Sequence, residues 1–151
     1  MTATLGDYLS LIDELLAGLF PETEADDANG YGGPHHRVCV LWNSRDFWDD
    51  DGQAWREAEA DGRARLDALI AALAPRWGAP VEIDLWPYLK AGIDGEEVPE
   101  PLFSLSQQFV SLQAAWPVRD RDRWLALAVG QADKELPFEL LAAVGRGPVP
   151  A

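Results

Sequence analysis

The sequence predicts an α/β or α+β sandwich: one domain, a mixed sheet of three to five strands, and helices on both faces. Three observations lead there. Two short apolar runs, "RVCVLW" at residues 37–42 and "VEIDLW" at residues 81–86, bracket a long helical pattern. That order and spacing predict a parallel βαβ crossover, and such crossovers are right-handed. The 151 residues are 48% hydrophobic and 25% charged, the balance of a globular domain. A chain of that length buries one core without staples.

The first helix follows from Leu5, Leu9, Ile12, Leu16 and Leu19, which recur at helical spacing, with Asp7, Ser10, Asp13 and Glu14 opposite. Thr4 with Asp7 three residues on resembles a capping box with Asp in place of Glu. Pro21 stops the helix. Residues 21–36 are acidic and Gly-rich without periodicity, and read as a loop.

In residues 37–42, Val38, Val40 and Trp42 share one face, and Cys39 and Leu41 the other. Two apolar faces suit a central strand. A loop follows, "NSRDFWDDDG". A helix then runs from about residue 53 to about residue 74, on a stripe of Trp55, Ala58, Gly62, Leu66, Leu69 and Leu73. Asp49, Asp50 and Asp51 put negative charge at its N-terminus, and Pro75 ends it.

In residues 81–86, Val81, Ile83 and Leu85 alternate with Glu82, Asp84 and Trp86. One face is more polar, so this strand lies nearer an edge or lines a groove. Residues 87–101 read as a Pro/Gly insertion. Leu102, Leu105, Phe109, Leu112 and Trp116 step by three and four, as in a helix, although β-compatible residues after Phe109 leave helix-plus-strand open.

The "RDRDR" of residues 119–123 reads as a turn, and "WLALAV" at 124–129 as another central strand. "WPV" at 116–118 can pair with it as a short antiparallel edge, where Pro117 is tolerable. "ELPFELLAAVG" at 135–145 reads as a final helix, with Pro137 in its first turn and Gly145 past its end. Residues 146–151 read as a frayed tail.

Twenty-six acidic residues face twelve basic ones, a formal net charge of −14. Such charge repels phosphate backbones and anionic lipid, so nucleic acid and membranes are poor partners. It serves solubility, or presents an acidic face to a basic partner. No apolar run approaches the ~20 residues of a membrane span. The N-terminal "MTATLGDYLSLIDELL" has no basic leader of a secretory signal. A single cysteine allows no internal disulfide, and a cytoplasmic, reducing location is the expectation. Seven tryptophans are a high count, and tryptophan serves both cores and binding hot spots.

Catalytic and metal chemistry finds little support. If residues 37–42 are extended, His35 and Cys39 stand about 13 Å apart at ~3.3 Å per residue, and His36 and Cys39 point to opposite faces. Zinc ligands lie ~2.0–2.3 Å from the metal, so no metal site is expected here. A calcium loop aligned on Gly52 puts Phe47 first and Ala58 where a bidentate Glu is required. "GYGGP" precedes a strand and is no phosphate loop. Cys39 in mid-strand reads as a small buried hydrophobe and a poor nucleophile. No catalytic residue and no cofactor is assigned.

What remains is position. In open α/β sheets, ligands favour the crevice beyond the carboxyl ends of parallel strands. Those ends carry "NSRDFW" and "WPY", which makes Asn43, Ser44, Arg45, Asp46, Trp48, Trp86 and Tyr88 the candidate binding residues. An amide, a hydroxyl, a guanidinium and a carboxylate beside aromatics suit a pocket or a hot spot. The first reading is a non-enzymatic interaction or regulatory module that docks or neutralises a basic protein with an acidic, Trp-rich surface. The alternative is a small-molecule-binding protein or enzyme with its site at the ends of the two parallel strands. A third is a homodimer joined through an edge strand or a Trp-bearing surface.

Overall fold

The computed structural model describes residues 4–27 and 30–150. In chain order the elements are α1 (Leu5–Ala17), β1 (Ala25–Asp27), β2 (Gly30–Gly33), β3 (His36–Asn43), α2 (Gln53–Trp77), β4 (Val81–Asp84), α3 (Trp86–Ile93), α4 (Leu102–Ser106), β5 (Ser111–Val118), β6 (Arg123–Gly130) and β7 (Glu139–Arg146). The seven strands form one sheet in the order β1-β2-β3-β7-β6-β5-β4, with every neighbouring pair antiparallel.

This overturns the mixed sheet of three to five strands with a parallel crossover. β3 and β4 do run in the same sense with α2 between them in the chain. In the sheet, however, β7, β6 and β5 lie between the two. A strand–helix–strand spacing tells only that the chain returns to the same end. It says nothing about strands that arrive later and insert.

The inserted strand is β7, where the sequence predicted a final helix. "LLAAV" is buried on both faces: Leu140, Ala142 and Val144 join one core, and Leu141 and Ala143 the other. A continuous apolar run fits a doubly covered strand as well as a buried helix, and packing overrides the helical leaning of Leu and Ala. Other differences are smaller. Residues 21–36, read as a loop, hold β1 and β2. Residues 87–101 contain most of α3. Residues 102–116 are a helix plus a strand, and Val149 of the supposed frayed tail packs against the second core. α2 continues past Pro75 to Trp77, closed by Gly78, whose N–H donates to Ala74 O at 2.7 Å.

Helices cover both faces. On one, Ile12 and Leu16 of α1 with Leu66, Leu69 and Leu73 of α2 pack on Trp116, Leu125, Leu127 and Val144. On the other, Leu85, Leu102, Leu105 and Phe109 pack on Leu112, Ala126, Leu141 and Ala143. The capping box of α1 is present: Thr4 N–H donates to Asp7 Oδ2 at 2.7 Å, and Asp7 N–H donates to Thr4 Oγ1 at 3.3 Å. β4 is an edge strand with Glu82 and Asp84 exposed, as its alternation indicated. No helix among the described residues is long and apolar enough to cross a membrane.

Two bulges break the strand alternation. In β3, Val40 pairs with Leu141 and Trp42 with Leu140, so Leu41 is an extra residue. Trp42 therefore turns to the face of Cys39 and Leu41, not that of Val38 and Val40. In β5, residues 112–115 stand opposite 81–83 of β4, one residue more. There the Gln113 side chain takes over a backbone role: Nε2 donates to Val129 O and Oε1 accepts from Val129 N–H, both at 2.9 Å.

The aspartate run caps α2. Asp50 accepts from the N–H groups of Gly52 and Trp55 at 3.0 Å and of Ala54 at 3.2 Å, and Asp51 accepts from Gln53 N–H at 3.0 Å. Burial pushes the Asp50 carboxyl up, but these N–H donors outweigh it, and its pKa lies below the usual value. A depressed folded-state pKa stabilises above the unfolded value of about 3.9, and that stabilisation is lost as pH falls through the lower folded value. Asp50→Ala is therefore expected to lower the urea midpoint at pH 7, with the gap to wild type closing as the pH is taken down toward the folded-state pKa. A gap independent of pH would contradict the capping role.

Candidate functional site

β3, β6 and β4 finish at one end of the sheet, where β5 and β7 begin. The predicted binding residues all lie at this end, but not in one crevice. Four strand spacings of ~4.8 Å put the ends of β3 and β4 roughly 19 Å apart. That removes the premise of a ligand crevice between neighbouring parallel strands.

Each predicted residue has a definite place. Asn43 closes β3 and is exposed. Ser44 is occupied structurally: its N–H donates to Phe138 O at 2.9 Å, its Oγ accepts from Phe138 N–H at 2.8 Å, and the hydroxyl donates to Arg45 O at 2.7 Å. Arg45 is exposed, its Nε donating to Asp46 O at 3.2 Å, and Asp46 is exposed beside it. Trp48 is 66% exposed and Trp86 55%. Tyr88 is half-buried against the second core.

Between these two groups lies a cleft of about 400 Å³ that none of them lines. Its walls include Trp55, Glu59 and Arg63 of α2, Val110 and Gln113 beside the β5 bulge, and Phe138. The β5–β6 backbone register ends at Ala114 and Leu127, and beside the cleft Gln113 holds Val129 through its side chain instead. The polar groups of the walls are largely paired. Trp55 Nε1 donates to Gln131 Oε1 at 2.7 Å, Ser111 Oγ donates to Glu82 Oε2 at 3.0 Å, and Gln108 Nε2 donates to Glu139 Oε1. Trp55 and Phe47 both pack on Phe138, at ring separations of 5.4 and 5.9 Å.

The exposed tryptophans adjoin these walls. Trp48 follows Phe47, whose N–H is held by Glu135 O at 2.9 Å. Trp86 follows Leu85, whose N–H donates to Val110 O at 3.0 Å, and Val110 is itself 85% exposed. The surroundings are acidic. Asp133 and Glu135 hydrogen-bond each other, which holds Asp133 below and Glu135 above the usual carboxylate range.

Sequence reasoning named Trp48 and Trp86 among its candidates without telling which of the seven tryptophans are exposed. It missed the cleft walls, because no local signal marks the Gln113 bulge or brings α2 beside β5 and β6. The histidines and the cysteine separate: His36 lies beside Tyr31 at 6.2 Å between ring centroids, while Cys39 packs against the first core on the opposite face. Among the described residues no three His, Cys, Asp or Glu side chains converge as a metal-binding group. No protein-family model, curated protein or solved structure shows a significant match to this chain.

Proposed function

We propose that the protein is a protein-interaction module that docks a basic partner on the end of the sheet bearing Trp48 and Trp86. The observation that carries this reading is the exposure of both tryptophans, together with Val110, on either side of one cleft. Tryptophan exposed by more than half is costly in water and is the residue most enriched in binding hot spots. The net charge of −14 supports a basic partner and disfavours nucleic acid and anionic membranes. A cytoplasmic location belongs to the same reading, supported by a chain whose single cysteine allows no internal disulfide.

The test is crosslinking from photoreactive residues at positions 48 and 86 in source cells, followed by binding of the purified captured protein. The captured protein is expected to be basic, and to bind more weakly as salt rises. Trp48→Ala and Trp86→Ala should each weaken binding by roughly tenfold or more. Equal binding by both variants, or an acidic partner, contradicts the reading. So does light scattering that shows a homodimer dissolved by Trp86→Ala, since the surface would then be a subunit interface.

A further inference from the structure

The opposite end of the sheet, where β6 starts and β7 finishes, gathers arginines around one aromatic ring. Arg123 and Arg146 stand directly across from each other in the β6–β7 ladder. Both guanidiniums rest on the ring of Phe20, at 4.2 Å for Arg123 and 4.7 Å for Arg146. Phe20 follows α1 and packs against the first core. Arg121 lies two residues before Arg123, at the end of the 3-10 turn Arg119–Arg121.

No carboxylate offsets these charges by contact. The ion pairs among the described residues engage Arg65, Arg76 and Lys90, and none of the three arginines. Asp120 and Asp122 belong to the same turn, both exposed, and do not pair with them. Glu24 borders the same cleft as Arg146 and does not pair with it either. Burial first, then the charges of Arg146 and Arg121, pushes the Arg123 guanidinium below its usual pKa, and no acid pulls it back. Like charges directly opposite in a ladder are destabilising. In a chain with 26 acidic and 12 basic residues, this arrangement is the reverse of what stability alone would select.

The guanidiniums are held in place with donors to spare. Arg123 Nη1 donates to Leu15 O at 3.1 Å and Leu16 O at 2.9 Å, at the C-terminal end of α1. Arg146 Nε donates to Pro34 O at 3.0 Å. Arg123 Nη2 and both terminal nitrogens of Arg146 make no hydrogen bond to a described residue. A cation at a helix C-terminus accounts for Arg123. It does not account for Arg146 and Arg121 being gathered beside it. Arg123 is half-buried and the other two are exposed, so a ligand reaches the group from solvent.

We infer that Arg123 and Arg146, with Arg121 beside them, form a binding site for a phosphate group. Arginine forks match phosphate oxygens in bidentate pairs, and a dianion balances two guanidiniums. The Phe20 ring and the carbonyls of Leu15, Leu16 and Pro34 hold both forks in advance, which lowers the ordering cost of binding. The net charge of −14 repels anions at long range, but screening limits that to about 8 Å at physiological salt, and the arginines decide at contact. This site is at the other end of the sheet from Trp48 and Trp86 and does not depend on the docking reading.

The experiment is a nuclear magnetic resonance titration of the nitrogen-15-labelled full chain, read at the arginine Nε–H signals, with ionic strength held constant by sodium chloride. Inorganic phosphate, phenyl phosphate and acetate are the probes. The Arg146 and Arg123 signals are expected to move saturably with phosphate. Tighter binding of phenyl phosphate assigns the site to a phosphate monoester, and tighter binding of inorganic phosphate assigns it to the free ion. Arg146→Gln should weaken the phosphate by roughly tenfold or more, the effect of losing a charged hydrogen bond, read at Arg123. Should that variant fold poorly by circular dichroism, Arg121→Gln, at an exposed position, should weaken it by roughly threefold through the loss of one charge. Arg56→Gln on α2 should leave the affinity unchanged. Failure to saturate below about 50 mM, equal binding of acetate, or unaltered affinity in a folded Arg146→Gln overturns the assignment.

Discussion

Replacing Trp116 by alanine is expected to remove about 3–5 kcal/mol from the unfolding free energy, as large-to-small changes at buried aromatic sites do. Trp116 is completely buried in β5, in the core beneath α1 and α2. Its indole Nε1 donates to Gly78 O at 2.8 Å, and its ring meets Trp77 at 5.9 Å. One side chain thus fills the core and ties the last turn of α2 to the sheet. Marginal domains have only about 5–15 kcal/mol in total, so the variant should sit close to unfolding at room temperature. Trp116→Phe keeps most of the volume, loses the bond to Gly78, and should fall between. Urea unfolding followed by far-UV circular dichroism measures both. A loss below about 1 kcal/mol for Trp116→Ala would contradict the packing described.

The second large effect is at Gly145. Trp124 stands directly across from it in the β6–β7 ladder, and its indole lies over the glycine so closely that a Cβ would overlap the ring. Gly145→Ala should therefore cost about 1–3 kcal/mol through overpacking. In a Trp124→Ala background the same substitution should cost almost nothing, because the ring is gone. The coupling between the two sites then accounts for nearly the whole effect of Gly145→Ala. Additive losses would mean that the ring does not lie there. The experiment also separates strand from helix. As a helix cap, Gly145 would need a left-handed conformation and would accept Asn. In the fold it is not among the positive-φ glycines, which are Gly52, Gly78, Gly95 and Gly147, and no side chain fits.

That glycine shows why part of the fold was legible and part was not. Elements governed by local chemistry read correctly: Thr4 and Asp7 cap α1, and Asp50 and Asp51 cap α2, while the alternation of residues 81–86 left edge or groove open for β4, which lies at the edge and ends at Asp84. β7 did not read, because Leu140–Val144 satisfies a helix and a doubly buried strand equally, and only the gap between β3 and β6 decides between them. The face of Trp42 did not read either, because the bulge at Leu41 leaves no mark in the local pattern. For the candidate site, Trp48 and Trp86 were visible as aromatics at strand ends. The walls between them depend on strands placed by the rest of the chain.

The position of β7 also governs how this protein can be made. Among the described strands it comes last in the chain, and it lies in the middle of the sheet. Without residues 139–146, β1–β3 and β4–β6 share no strand pairing, and β3 and β6 each lack the neighbour that β7 supplies. Open edges of that kind recruit strands from other chains. A β7 from a neighbouring nascent chain matches the gap as well as the chain's own. The vulnerable interval therefore lasts until residues 139–146 are free to pair, and it closes only when they join β3 on one side and β6 on the other.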